Sequence, residues 1–337
     1  MTMPFPTTLS RDVFYYWLLN VSSSFMISAA HNTLYFVLDF RVPIFHFMHH
    51  AFTFGFLVLT TLAGHFPHAL PKPRKLLAPV ALQLLITLLT AVCHSSNRIG
   101  SLYLLRLTDV FSTIAVFKFL PTTGDSFPRW GLMWLLMVGE EDLQEGRQAM
   151  YANIEIPLSI GASLSWLELG NLEYDTASLL LSPILGFLRG VHLIAMQRSY
   201  RESGATSCVQ FSAYFTALVS ALLFIPATIS YSLTEVKADA SWESIDYTLI
   251  GLSFFFMICY KYSELFLTLN LDARMVLAAE QSKFFMASIG QWFLQNMAHA
   301  TVYSFCGKML FVASLMRLIT RYRCSSGESQ QRKIVQQ

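Results

Sequence analysis

Long apolar runs separated by short polar segments dominate this chain of 337 residues. A helix rises about 1.5 Å per residue, so roughly 20 apolar residues are needed to cross the hydrocarbon core of a bilayer. Runs of this length lie at about 12–36, 43–64, 76–95, 101–120, 148–167, 177–197, 208–231, 245–268, 273–293 and 299–320. The pattern therefore predicts an all-α, polytopic membrane protein with about ten transmembrane helices.

The pattern is least regular over residues 101–140. Pro121, Gly124 and Pro128 interrupt the apolar sequence, and the following run, Trp130 to Val138, is too short to span a bilayer alone. Proline and glycine are tolerated at membrane depth where neighbouring helices or a cavity satisfy the freed backbone groups. A broken fourth helix or a re-entrant segment fits this part of the chain.

The composition supports a membrane protein and argues against several other classes. Apolar residues make up 54% of the chain and charged residues only 13%, which is far from the profile of a soluble protein. A net charge of +2 gives no reason to expect nucleic-acid binding. The five cysteines are odd in number and show no CxxC spacing, so neither a disulfide framework nor a zinc site is expected. No basic segment directly precedes the first apolar run, which favours a spanning helix over a cleaved signal peptide.

Lysine and arginine residues near the ends of the predicted spans set the expected orientation. With ten spans, one side of the membrane receives Lys72, Arg74, Lys75, Arg147, Arg198, Arg201, Arg274, Arg321, Arg323, Arg332 and Lys333. The other side keeps chiefly Arg41, Arg98 and Lys237. Both termini, with the polar tail 321–337, are therefore expected in the cytosol. An even number of spans also permits a single transporter domain over 1–337, built as two five-helix halves (about 12–167 and 177–320) in an inverted repeat.

Arg189, Lys261 and Lys283 are basic residues that fall inside apolar spans, where an ionisable group costs about 3 kcal/mol or more and so marks a functional position. If the eighth and ninth spans are antiparallel neighbours, Lys261 and Lys283 lie at the same depth. Two ammonium groups at one depth need an anion between them or acidic partners, and Glu264 and Glu280 are close in sequence. The two interpretations are a site for a phosphate-bearing substrate and structural Lys-Glu pairing. For Arg189, ligand contact and structural pairing are equally open.

Histidines 46, 49 and 50 lie on one face of the second predicted span. They could ligate a metal or relay protons. No second cluster of histidines or carboxylates completes such a site, so a packing or interfacial role at a helix end is favoured. No GxSxG, HExxH, P-loop or GxGxxG motif occurs in a suitable context, and no enzyme, metal or cofactor is predicted.

The order Tyr260, Ser263, Glu264, Ala273 and Lys283 resembles the ninth-helix signature of a known family. That signature reads Tyr-Asn-x-Ser-Glu-Phe, then Ser-Ala-Leu-Thr, then Lys, in the nucleotide-sugar/triose-phosphate translocator family of the drug/metabolite transporter superfamily. Further similar segments are Pro43 to His50, Lys75 to Leu82, Asn97, Leu102-Tyr103, Gly139-Glu140, Glu168, Tyr174, Leu188-Arg189 and Gln197. The likeness covers most of the chain in the family's order and is closest to the GDP-fucose-transporter-like branch.

The chain also departs from the family pattern at polar positions. Thr33-Leu34 replaces an Asn-Lys pair in the first helix, and Thr113 aligns with a lysine of the fourth. Near the signature, Lys261, Asp272, Met275, Glu280 and Phe284 replace the family's Asn, Ser, Thr, Gly and Arg or Glu. Several contacts that would determine the substrate have therefore changed together.

The resemblance implies an antiporter in the Golgi or ER membrane that exchanges a nucleotide sugar for a nucleoside monophosphate by alternating access. It implies that the lipid bilayer and a phosphate-bearing small molecule are the partners, and a homodimer is compatible with this plan. Its substrate-binding residues would be Lys283, Lys261, Arg189, Tyr260 and Glu264, with His50 in helix packing or gating. Two alternatives stay open: a non-transporting, regulatory member of the secretory pathway, and a multipass membrane enzyme that uses His46, His49 and His50.

Overall fold

A computed structural model gives the structure of the protein and describes residues 7–38, 42–64, 72–96, 155–165, 176–205, 207–232, 244–271, 273–294 and 302–317. Nearly all of these residues belong to helices. The helices are α1 (Thr7–Leu38), α2 (Val42–Leu62), α3 (Pro73–Ser96), α4 (Glu155–Leu164), α5 (Thr176–Glu202), α6 (Cys208–Ser232), α7 (Ser244–Asn270), α8 (Ala273–Leu294) and α9 (302–317). Within the described ranges no residue belongs to a β-strand.

Each helix overlaps one of the predicted spans, and the remaining span, 101–120, lies outside the described residues. Five described helices are long and apolar enough to cross a membrane, over Pro43–Leu62, Pro73–Val92, Leu180–Glu202, Cys208–Ser232 and Gly251–Asn270. Helices α1, α4, α8 and α9, which the sequence also predicts as spans, are not among these five. The all-α, membrane-compatible fold class is thus confirmed for the described part of the chain. The ten-helix count, the inverted repeat and the path of 101–140 stay predictions.

The core lies where α3, α5, α6 and α7 meet. The most extensive helix pairs are α2 with α6, α1 with α7, and α3 with α5. Large apolar side chains that pack closely between helices gain dispersion contacts. These contacts stabilise the bundle, because mobile lipid tails fit the same side chains less closely. The central cluster consists of Leu76, Val80, Met196, Phe211, Phe215, Val219, Leu223, Leu265 and Leu269.

A second contact region joins α4, α8 and α9 through small residues. A Cβ atom added at Gly161 would lie 2.6 Å from the backbone nitrogen of Phe311, so α4 and α9 touch backbone to backbone. Ser165 and Ser288 share a hydrogen bond of 2.8 Å between their hydroxyls, and the Phe285 and Phe311 rings stack with centroids 4.0 Å apart. Small residues at helix crossings permit this close approach in membrane proteins.

Candidate functional site

Lys261 lies on the buried face of α7 and is ion-paired within its own helix. Its Nζ donates a hydrogen bond of 2.7 Å to Oε2 of Glu264, one turn further along. The lysine is only 8% exposed. A buried ammonium group needs such a partner, because desolvation of an unpaired charge is costly.

Lys283 repeats this arrangement on α8. Its Nζ donates to Oε1 of Glu280, again one turn away, and also lies 4.9 Å from the centroid of the Tyr260 ring. A cation at this distance over an aromatic face is attracted by the ring's electrons. Because Tyr260 precedes Lys261 on α7, this contact brings the two lysine-bearing helices together at one level of the bundle.

The lysines and their carboxylates differ in accessibility. Side-chain exposure is 9% for Lys261 against 27% for Glu264, and 6% for Lys283 against 34% for Glu280. Glu264 also interacts electrostatically with both lysines. Structural Lys-Glu pairing, one of the two interpretations that the sequence left open, is therefore present. The ammonium groups form the interior of the site, and the carboxylates lie towards more accessible space.

Helix α1 fixes both lysine-bearing helices, a role that the sequence reasoning did not anticipate. The Asn20 side-chain amide donates to the carbonyl oxygen of Tyr260 at 3.1 Å and to the Ser263 hydroxyl at 2.9 Å. The Trp17 indole donates to the hydroxyl of Ser282, next to Lys283, at 2.7 Å. An asparagine inside an apolar run was the available sequence signal, but nothing local shows which helix it contacts.

The histidines of α2 face two different neighbours. The His49 ring lies 5.8 Å from the Tyr260 ring, and the His46 ring lies 6.3 Å from that of His49. His50 is completely buried, with its ring 5.9 Å from that of Phe215 on α6. The α2–α6 contact therefore encloses His50, and its role in helix packing or gating stays a prediction.

A fourth histidine, His192 on α5, joins this group. Its ring lies 6.1 Å from the Phe215 ring, and the charge of Lys261 acts on both His50 and His192. The sequence reasoning missed His192, although its place one turn after Arg189 in an apolar span was a usable signal. In the described residues, no three histidine, cysteine or acidic side chains are grouped so as to hold a metal ion.

Arg189 is half-buried on α5, one turn before His192. The amide of Gln197 anchors the same helix to the end of α7, donating to the carbonyl oxygens of Thr268 at 3.0 Å and Leu271 at 2.8 Å. Since His192 interacts with Lys261 and Glu264, and Gln197 with residues further along α7, the two helices run in parallel. Arg189 is thus on a helix that packs beside α7, which carries Lys261.

The site combines two buried ammonium groups, two carboxylates, an aromatic ring and several imidazoles, with α1 holding the helices in place. Such a set can bind an anion and orient an attached polar group. A scan against protein-family models finds no matching family, and a search of curated proteins finds no matching relative. The family resemblance therefore rests on the residues and their order alone.

Proposed function

We propose that this protein is a membrane transporter for a phosphate-bearing metabolite, with its site between α7 and α8. The observation that carries the proposal is the placement of Lys261 and Lys283, both buried, on two helices that meet at Tyr260. Soluble proteins and membrane proteins alike seldom bury two lysines in one region without a reason, because each ammonium group must be desolvated.

The chemistry of binding is an exchange of anions. In the described structure, the carboxylate of Glu264 forms an ion pair with Lys261, and that of Glu280 forms one with Lys283. A phosphate carries up to two negative charges and several acceptor oxygens, so it can bridge both ammonium groups where each carboxylate serves one. The carboxylates are the more exposed members of each pair and can turn towards water as the phosphate enters. Tyr260 then offers its ring to a base or sugar.

The same proposal includes an architecture of ten helices in two inverted five-helix halves that work by alternating access. The transporter would exchange a nucleotide sugar for a nucleoside monophosphate across a Golgi or ER membrane. Five span-capable helices in the described part support it. So does the polar end shared by α3 and α5, where the backbone N–H of Lys72 donates to the Ser203 carbonyl and Lys75 pairs with Glu202 at 2.6 Å. Basic residues grouped at one membrane face are typical of the cytosolic side.

The test is uptake by proteoliposomes that contain the full-length protein and are preloaded with nucleoside monophosphates. Nucleotide sugars, nucleotides and sugar phosphates are offered as radiolabelled substrates. We expect Lys283→Ala and Lys261→Ala to reduce uptake at least about tenfold, since truncating one member of a buried charge pair costs about 2–5 kcal/mol. The control is Lys308→Ala on α9, whose ammonium group donates to the Ser304 hydroxyl at 2.8 Å, and this variant should keep uptake near that of the parent. If the proteoliposomes take up none of these substrates, the proposal is overturned.

One observation favours a second candidate, a non-transporting regulatory protein. Both lysines already have a carboxylate partner within their own helix, so the site is electrically balanced without a ligand. The double variant Lys283→Met/Glu280→Gln separates the candidates, because replacing a whole buried pair is often neutral for stability. A transporter should lose uptake and ligand-induced thermal stabilisation in this variant. A regulatory protein should show no uptake even in the parent form. It should also bind its partner equally well in the parent and in the double variant.

A further inference from the structure

A cluster of apolar side chains from four helices, which we call the apolar plug, lies between the lysine site and one end of the bundle. At that end, the basic end, Lys75 of α3 pairs with Glu202 of α5. Helices α1, α5, α7 and α8 all contribute to the cluster. Its buried members are Leu193, Leu267, Leu271 and Val276, and Val13, Tyr16, Trp17 and Met275 pack against them.

The position of the apolar plug follows from the direction of the helices. Leu267 and Leu271 lie about 9 and 15 Å beyond Lys261 along α7, at about 1.5 Å per residue. On α8, Val276 lies about 10 Å before Lys283 by the same measure. Since α7 runs parallel to α5, which ends at the basic end, both segments lie on the side of the lysines that faces this end. The plug therefore closes the space between these four helices in that direction.

Two side chains tie the helices together at the plug. The amide of Gln197 on α5 donates to the carbonyl oxygens of Thr268 and Leu271 at the end of α7, at 3.0 and 2.8 Å. The indole of Trp17 on α1 donates to the Ser282 hydroxyl of α8 at 2.7 Å. The last carbonyl groups of a helix have no partner within the helix, and water can take the place of the Gln197 amide there. The link between α5 and α7 is thus one that can break without leaving unpaired groups.

We infer that the apolar plug is a gate that opens in each transport cycle, when the end of α7 and the start of α8 separate from α1 and α5. This inference rests on the proposed function and extends it. A transporter that works by alternating access needs a barrier on each side of its site, and the barriers must open in turn. The plug is the barrier towards the basic end. Contacts that only stabilise the fold would persist through the whole cycle, which gives the inference its test.

The experiment joins α5 to the end of α7 in the full-length protein. Gln197→Cys and Leu271→Cys are combined and connected by a short, reducible bis-methanethiosulfonate linker, whose attachment is measured by intact mass. Proteoliposomes preloaded with GMP, UMP or inorganic phosphate are offered radiolabelled GDP-fucose, UDP-glucose or glucose 6-phosphate. Thermal shift with inorganic phosphate in detergent measures binding. The two single-cysteine variants, treated with the same reagent, are the matched controls and report any reaction of the native cysteines.

A second pair covers the case in which the first double variant does not fold. Val13→Cys with Val276→Cys joins α1 to α8 within the same plug, and valine and cysteine are similar in volume.

Linking should reduce uptake at least about tenfold relative to the unlinked double variant, because the gate can no longer open. Reduction of the linker should restore uptake. The linked protein should bind phosphate as tightly as the unlinked protein, since the lysines are unchanged.

Three results overturn the inference and leave the proposed transporter standing. They are continued uptake after linking, loss of phosphate binding together with uptake, and cysteines that the linker does not join. If the parent protein takes up none of the three substrates, both the inference and the proposed function are overturned.

Discussion

Asn20 is the residue on which the geometry of the lysine site depends most directly. It is 1% exposed, and its amide joins α1 to α7 through both the Tyr260 carbonyl and the Ser263 hydroxyl. Tyr260 in turn lies under the ammonium group of Lys283. A single amide on α1 therefore sets the position of the ring that joins the two lysine-bearing helices.

Replacing Asn20 with alanine should lower both stability and ligand binding. The change removes two buried hydrogen bonds, and we expect a loss of about 1–3 kcal/mol in the free energy of unfolding. Thermal denaturation of the purified protein, followed by tryptophan fluorescence, measures it. Ser22→Ala is the matched control, because the exposed Ser22 hydroxyl bonds only to carbonyls of its own helix, those of Leu18 and Leu19. Equal melting temperatures for the two variants would contradict the bracing role of Asn20.

At the scale of the helices, α4 and α9 cross in close backbone contact. Gly161 and Gly307 meet there, and a Cβ added to Gly307 would lie 2.6 Å from the Cβ of Leu164. Phe311 of α9 also stacks on Phe285 of α8, and Ser165, directly after α4, shares a hydrogen bond with Ser288 of α8. The crossing therefore links α8, which carries Lys283, to two helices outside the central core.

A methyl group at this crossing should separate the helices. Gly161→Ala and Gly307→Ala force backbone atoms apart, and overpacking of a fitted contact costs about 1–3 kcal/mol. Gly251→Ala is the control, since a Cβ at Gly251 meets nothing within 4 Å. Melting temperatures of the three variants in detergent provide the measurement. A Gly161→Ala protein as stable as Gly251→Ala would show that the crossing is looser than described.

The positions of the helices follow from local sequence, and many of the contacts between them do not. Apolar runs predict the helices because hydropathy acts over a single segment. The Lys261–Glu264 and Lys283–Glu280 pairs were also foreseeable, since residues three apart lie on one helix face. Asn20 and Tyr260 are separated by 240 positions, and no local pattern indicates their contact. The burial of His50 likewise depends on α6, whose place beside α2 no local pattern reveals.

The described helices expose large apolar side chains, such as Leu59, Leu62 and Phe255, in a way that is compatible with a membrane protein. Serines, threonines, a histidine and two lysines are buried beside the apolar core. Helices α5 and α7 run in parallel, so the start of α7 lies at the opposite end of the bundle from Lys75 and Glu202. Lys75 therefore marks one end of the described bundle, and the exposed Ile245 at the start of α7 marks the other.

Labelling of single introduced cysteines tests the orientation. In sealed microsomes with the cytosolic face outwards, Lys75→Cys should react with a membrane-impermeant maleimide. Ile245→Cys, exposed at the start of α7, should react only after the membrane is permeabilised. The parent protein, with its own cysteines, supplies the background. The reverse pattern would place the basic end of α3 and α5 in the lumen and refute the predicted cytosolic termini.

The pairing of each lysine within its own helix has a consequence for how the protein is made. A charged side chain raises the free energy of inserting a helix from the translocon into lipid by about 2.5–3.5 kcal/mol at the helix centre. Because Glu264 lies one turn from Lys261, and Glu280 one turn from Lys283, each helix can form its ion pair as soon as it is helical. Neither segment depends on the other for a counter-charge, so in the proposed transporter α7 and α8 can enter the bilayer one after the other during synthesis.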